Sequence, residues 1–206
     1  MVRLPENRAA AQPTFASGRA RQANIIRVMR ELTTKNGAEA VRMQDVARES
    51  DVALNTLYRY FPSKSHLLVA ILEQELKALA DGGPPASKDP AASDEEAAQR
   101  ILNFLAPAAE SMFSRPLLAR AMLNAAVEPA TAGGEPLVFS YQYLEDAALA
   151  VLGIDDPTDQ DRRMMYTIHL TWSSAISAVL NDRLERDEYD EVLRLTVAQL
   201  IQVRSE

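Results

Sequence analysis

From Arg19 almost to the end of the chain, apolar side chains recur at three- and four-residue steps, and nowhere do they alternate with polar ones between hairpin turn signals. That spacing confines the chain to helices, and Gly and Pro mark where each should stop. Ile25, Ile26, Met29 and Leu32 define a first helix ended by Asn36-Gly37. Met43, Val46 and Ala47 mark a short helix, Asp51-Val52-Ala53 a turn, and Leu54 to Phe61 a second short helix closed by Pro62. Ser63 can cap a fourth, which carries Leu67, Leu68, Ile71, Leu72 and Leu76. After the Gly/Pro-rich loop 81–92, Ser93 and Glu96 form a capping box opening a helix through Phe104 and Leu105, and Pro107 predicts a kink or break in it. Further helices are expected from Pro116 to Val127, from Pro136 to a stop at Gly153, from Asp156-Pro157 past Val179, and from about Asp187 to Val203, with a loop at 129–134. The fold class is therefore all-α, with about nine helices.

Hydrophobic residues make up 47% of the 206, which excludes a wholly disordered chain. No apolar run is longer than Ala147 to Leu152, which is too short to span a bilayer, so no membrane role is expected. Arg3, Arg8 and Arg19 sit among the first residues without a continuous apolar stretch, so no secretory signal is expected and the location should be cytoplasmic. The chain has no cysteine, which excludes disulfides, iron–sulfur clusters and thiolate zinc sites. Neither His66 nor His169 has a Glu three residues earlier, and no phosphate-loop, dinucleotide or nucleophile-elbow motif occurs. An enzyme is not expected, nor any cofactor.

The formal charge of −7 hides an asymmetry: residues 1–67 carry 11 Lys/Arg against 6 Asp/Glu, and residues 68–206 carry 11 against 23. A basic head on an acidic body suits a small DNA-contacting module. Residues 42–64, RMQDVARESDVALNTLYRYFPSK, supply the shape. Two short helices joined by a tight turn are the minimum of a helix-turn-helix, whose second helix enters the major groove. Val46, Ala47, Val52, Leu57 and Phe61 would pack the pair, leaving Asn55, Thr56, Tyr58, Arg59 and Tyr60 outward. Those amide, hydroxyl, aromatic and guanidinium groups suit both base edges and phosphates.

The run TLYRYFPSK (Thr56 to Lys64), with DVA at Asp45 to Ala47 before it and HLL at His66 to Leu68 after it, resembles the DNA-binding head of TetR-family regulators over roughly residues 20–75. The resemblance implies that Gln44, Asn55, Thr56, Tyr58 and Arg59 face bases or flanking phosphates, and that Tyr58, Tyr60 and Lys64 clamp the DNA backbone. It implies a homodimeric, ligand-responsive repressor on a palindromic double-stranded operator. The organisation would be a tail over 1–18, a helix-turn-helix domain over 19–66, and a ligand-binding and dimerisation domain over 67–206. Three positions depart from the family pattern. Asn55 replaces a common glycine, and either adds an adenine-type contact or caps its helix locally. Arg42 stands where a Thr or Ser cap is usual, and Asp51 replaces a turn glycine.

A longer stretch from Glu39 to Leu72, with RPLLARAMLNA from Arg115 to Ala125, is similar to the branch of that family that controls sterol catabolism in actinobacteria. This implies a small hydrophobic effector such as a steroid-CoA or acyl-CoA thioester. Phe104, Met112, Met122, Tyr141, Met165, His169 and Trp172 could surround its cavity, or simply be core, with His169 a hydrogen-bonded structural residue. Arg115, Arg120, Arg162 and Arg163 are the candidates for the CoA phosphates. Apolar stripes on the last two helices, including Ile176, Val179, Val192, Val197 and Leu200, would form the dimer seam. The competing readings are a TetR-type repressor of an efflux or other metabolic operon, and a helical lipid carrier without a DNA role.

Overall fold

Helices form where the apolar spacing asks for them. The structure, a computed structural model, describes residues 16–83, 86–87, 89–127 and 138–205, without the side chains of residues 16, 138–143 and 205. Among these lie α1 (Ala16–Asn36), a 3-10 turn (Ala38–Ala40), α2 (Met43–Glu49), α3 (Leu54–Tyr60) and α4 (Lys64–Gly82). After these come α5 (Asp94–Ser114), α6 (Pro116–Ala126), α7 (Val138–Val151), α8 (Asp159–Leu180) and α9 (Arg186–Ser205). No strand occurs among the described residues. None of their helices is long and apolar enough to cross a membrane. Most of the expected tail, the loop at 129–134 and the helix start at Pro136 lie outside the described residues.

The chain divides into two compact units that cut across chain order: residues up to Gln74 with 115–138, and Glu75–Ser114 with 139–206. In the first, α1 is the hub. Ile25, Ile26, Val28 and Met29 are buried, and α1 packs on α2, α6 and the 3-10 turn. The Asn24 side-chain amide donates to the Ser50 carbonyl at 3.0 Å, pinning the end of α2. Asp51 then takes a left-handed conformation (φ 54°), which aspartate tolerates better than most residues because its short side chain can bond locally. Val52 N–H donates back to Ala47 at 3.0 Å, and the turn into α3 is closed. Arg42 occupies the cap position of α2 and offers no side-chain acceptor there, as its type predicts.

In the second unit α5, α8 and α9 pack on one another. The Thr158 hydroxyl accepts from Asp161 N–H while the Asp161 carboxylate accepts from Thr158, a capping box that starts α8. Asp161 also accepts from Arg204, tying the start of α8 to the end of α9. Burial pushes the Asp161 carboxyl up, but the bonds from Thr158 and Arg204 outweigh it and hold the group below the usual aspartate range. The expected break at Pro107 does not occur, and α5 runs unbroken to Ser114. Both Pro107 and Asn103 are exposed, so the carbonyl that loses its helical donor faces solvent. The opposite face meanwhile buries Ile101, Phe104, Leu105 and Met112.

Gly153, which follows α7, has φ 75°, and a Cβ there would lie 2.7 Å from the Asp89 carbonyl oxygen. Gly153→Ala should therefore cost more than the about 1–2 kcal/mol of a left-handed alanine alone, measured by urea unfolding. An unchanged midpoint would mean this approach is not tight.

Candidate nucleic-acid interface and effector cavity

The seven-residue α3 buries Leu57 and Tyr60, and Phe61 follows them into the core. These positions share one side because residues three and four apart on a helix line up. Val46 and Ala47 of α2 are buried as well, and α2 packs on α3. Opposite this seam, Gln44, Asn55 and Arg59 are exposed, and Thr56 and Tyr58 are half-buried. Asn55 caps nothing: the cap of α3 is Ala53, with no side-chain bond, and the Asn55 amide has no partner among the described residues.

Tyr60 is a correction. It is only 6% exposed and lies on the Leu57 side of α3, so it packs the helix instead of facing outward. The Arg59 guanidinium lies 5.6 Å from the centre of the Tyr60 ring, close enough for that ring to orient it. Lys64 also differs from expectation. Its ammonium donates to the Ala38 carbonyl at 2.6 Å and to the Val41 carbonyl at 3.1 Å, which occupies two of its three N–H groups. Ser63 does cap α4 as expected, accepting from His66 N–H at 3.3 Å. Sequence reasoning overlooked Arg42, read there only as a missing cap. Its side chain is exposed, and no ion pair or hydrogen bond engages it among the described residues. The sequence held no signal for this, because Glu39 and Asp45 each lie three residues away and either could have paired with it.

In the second unit, two cavities touch the residues singled out for an effector. Phe104, Met165 and His169, with Leu144 and Ile168, enclose about 20 Å3, room for little more than a water. A wider cleft of about 460 Å3 is lined by Leu76, Leu79, Gly83, Pro107 and Met112. That lies within the roughly 300–1,000 Å3 usual for ligand sites. Phe104 lines the small cavity, and its ring lies against Gly83 of the cleft, where a Cβ would meet it at 2.7 Å. Trp172 is buried beside His169, ring centres 5.8 Å apart, and lines neither cavity. Met122 lies in α6, buried in the other unit, and the Tyr141 side chain is outside those described. Arg162 is bound to Glu145 at 2.9 Å and Asp146 at 3.3 Å.

Of the stripe residues on α8 and α9, Ile176 and Val197 are fully buried within their own unit, where α8 packs on α9. They cannot also cover a second copy. Val179 and Leu200 are half-buried and Val192 is 37% exposed, while Tyr166, Leu170, Leu195 and Val203 are exposed apolar groups on the same two helices.

Residues 25–71 match the family described as bacterial regulatory proteins, tetR family, and residues 95–200 match the tetracyclin repressor-like C-terminal domain. The HTH-type transcriptional repressor KstR of Mycolicibacterium smegmatis is 35% identical over 186 residues, covering 89% of this chain and 88% of that protein. KstR of Mycobacterium tuberculosis is 34% identical, over 89% and 81% respectively. Among solved structures, a TetR transcriptional regulator from Rhodococcus sp. RHA1 superposes with TM-score 0.80 at 27% identity, covering 91% of this chain and 98% of its own. Thermus thermophilus FadR, solved with lauroyl-CoA, shares the fold at TM-score 0.61 and 17% identity, over 87% and 93%.

Tyr60→Ala should cost about 3–5 kcal/mol of stability, as for other buried aromatics, while Arg59→Ala should stay within about 0.5 kcal/mol of the parent in the same denaturation assay. Equal losses would contradict the division of α3 into two faces. Burial holds His169 down to about 4 against an ordinary 6.5. Between those values only the unfolded chain gains the proton, so stability should rise with pH across this window and level off above it. His169→Gln, followed by urea unfolding from acid to neutral pH, should remove that rise, and an unchanged profile would place the histidine elsewhere.

Proposed function

The chain belongs to the tetR family of bacterial regulatory proteins and is a ligand-responsive, DNA-binding transcriptional repressor, not an enzyme; we propose that it acts as a homodimer on a palindromic operator and is released by an apolar effector of the steroid or acyl-CoA class. The observation that carries the DNA reading is the split of α3: Leu57 and Tyr60 are buried, and Asn55 and Arg59 are left to solvent. A guanidinium and a carboxamide are the two side chains able to read guanine and adenine edges bidentately in the major groove. A twofold axis would set two such helices about 34–36 Å apart, or at a multiple of it. The apolar groups available for that axis are Tyr166 and Leu170 on α8 and Val192, Leu195 and Val203 on α9.

The apolar cleft edged by Leu76, Leu79 and Met112 supports a hydrophobic skeleton as effector. The similarity of the head and of the Arg115–Ala125 stretch to the sterol-catabolism branch favours a ring system or its CoA thioester. If phosphates reach Arg162, they must compete with Glu145 and Asp146 for it. Release follows from population shift: the effector acts only to the extent that it prefers a dimer whose head spacing does not fit the operator. The protein works in the cytoplasm, where that DNA is.

Selection of duplexes from a random pool by the purified protein should enrich an inverted repeat, and Arg59→Ala should lower the preference for its central bases by about 1–3 kcal/mol. Steroid-CoA and fatty acyl-CoA compounds are then added to the retained complex, and one of the two series should release it. A pool without an enriched sequence would contradict operator recognition, and no release by either series would contradict the effector class.

A further inference from the structure

We propose that Lys64 is a positioning residue that braces the connection between α1 and α2, and that Arg42, the residue it holds in place, anchors the head to the phosphate backbone. The proposal rests on the operator-binding reading above. Lys64 sits in the first turn of α4, yet its ammonium reaches back 26 residues to Ala38 and 23 to Val41. The Ala38 carbonyl already accepts from Val41 N–H at 3.2 Å, whereas the Val41 carbonyl, just past the 3-10 turn, is held by Lys64. Moving the ammonium to a phosphate would take a donor from both carbonyls and leave that of Val41 unpaired in a part-buried place, a cost an exposed lysine does not carry.

The same contact fixes the backbone from which Arg42 projects. On one side the Val41 carbonyl is held by Lys64 and its N–H donates to Ala38 at 3.2 Å. On the other, the Arg42 carbonyl accepts from Asp45 N–H at 3.0 Å and Val46 N–H at 3.2 Å. The guanidinium beyond this fixed backbone is exposed and unengaged among the described residues. Its neighbour on α2 differs: Arg48 is neutralised by Asp45 at 3.0 Å and Glu49 at 3.5 Å. In a helix-turn-helix the first helix crosses the DNA backbone. A planar guanidinium on a braced segment there grips a phosphate through two parallel N–H bonds. The position thus gives up a hydroxyl cap and gains a long-reaching cation.

The test uses the full-length dimer and a duplex recovered by selection, with affinity measured across a salt series. Arg42→Gln, at an exposed site, should keep the melting temperature and make the salt slope shallower by about 0.9 per head. Lys64→Met keeps the aliphatic stem and should lower the melting temperature by several degrees. The two should not add: on the Arg42→Gln background, Lys64→Met should change the slope no further. An unchanged slope in Arg42→Gln overturns the anchor, and a double variant shallower by about twice as much overturns the bracing role, because Lys64 would then hold a phosphate of its own. If Lys64→Met fails to fold, the bracing role stands and the Arg42→Gln slope decides the anchor. Wild-type binding without salt dependence would instead sink the operator reading itself.

Discussion

A helix of seven residues makes too few internal hydrogen bonds to persist in water, so α3 exists only while one side of it is buried. Leu57, Tyr60 and the following Phe61 supply that side, against Val46 and Ala47 of α2. Everything else about the head follows from this constraint. The buried side takes every third or fourth position, so Asn55 and Arg59 have nowhere to go but outward. The turn before α3 must be tight, and Asp51 accepts the left-handed conformation that tightness demands. Because the helix is short, its aim depends on its supports: Asn24 holding Ser50, and Lys64 holding Ala38 and Val41.

The second unit is built on other terms. Long helices α5, α8 and α9 bury large side chains such as Phe104, Trp172 and Tyr189, and charged side chains tie their ends. Arg186 lies 4.0 Å from the Phe113 ring centre and pairs with Glu110, and Arg204 pairs with Asp161. The cleft lies beside Pro107 and Asn103, where the Asn103 carbonyl has lost a helical donor to the proline. The helix α4 contributes Lys64 at its first turn and Leu76 and Leu79 to the cleft wall. A molecule seated in the cleft therefore touches the same helix that begins at the brace of the head.

Much of this was legible in the sequence, and the failures have identifiable causes. Helical spacing located the helices because burying one stripe of each is what forms them. It could not tell that Pro107 would be tolerated, since tolerance depends on whether the orphaned carbonyl faces solvent. Tyr60 looked like a contact residue by chemistry, but its place three residues after Leu57 put it in the core. Lys64 looked like a free cation because its acceptors are carbonyls 23 and 26 residues away, which no side-chain pattern records. The stripes on α8 and α9 were visible too, but a stripe does not say whether it meets its own chain or another copy. Ile176 and Val197 meet their own.

Methylation interference on a selected operator tests the central claim most directly, because guanine N7 lies in the major groove and adenine N3 in the minor. If the outer side of α3 enters the major groove twice per dimer, modified guanine N7 should block binding in two half-sites about one helical turn apart or a multiple of it. Interference confined to adenine N3, or to one half-site, would contradict that account.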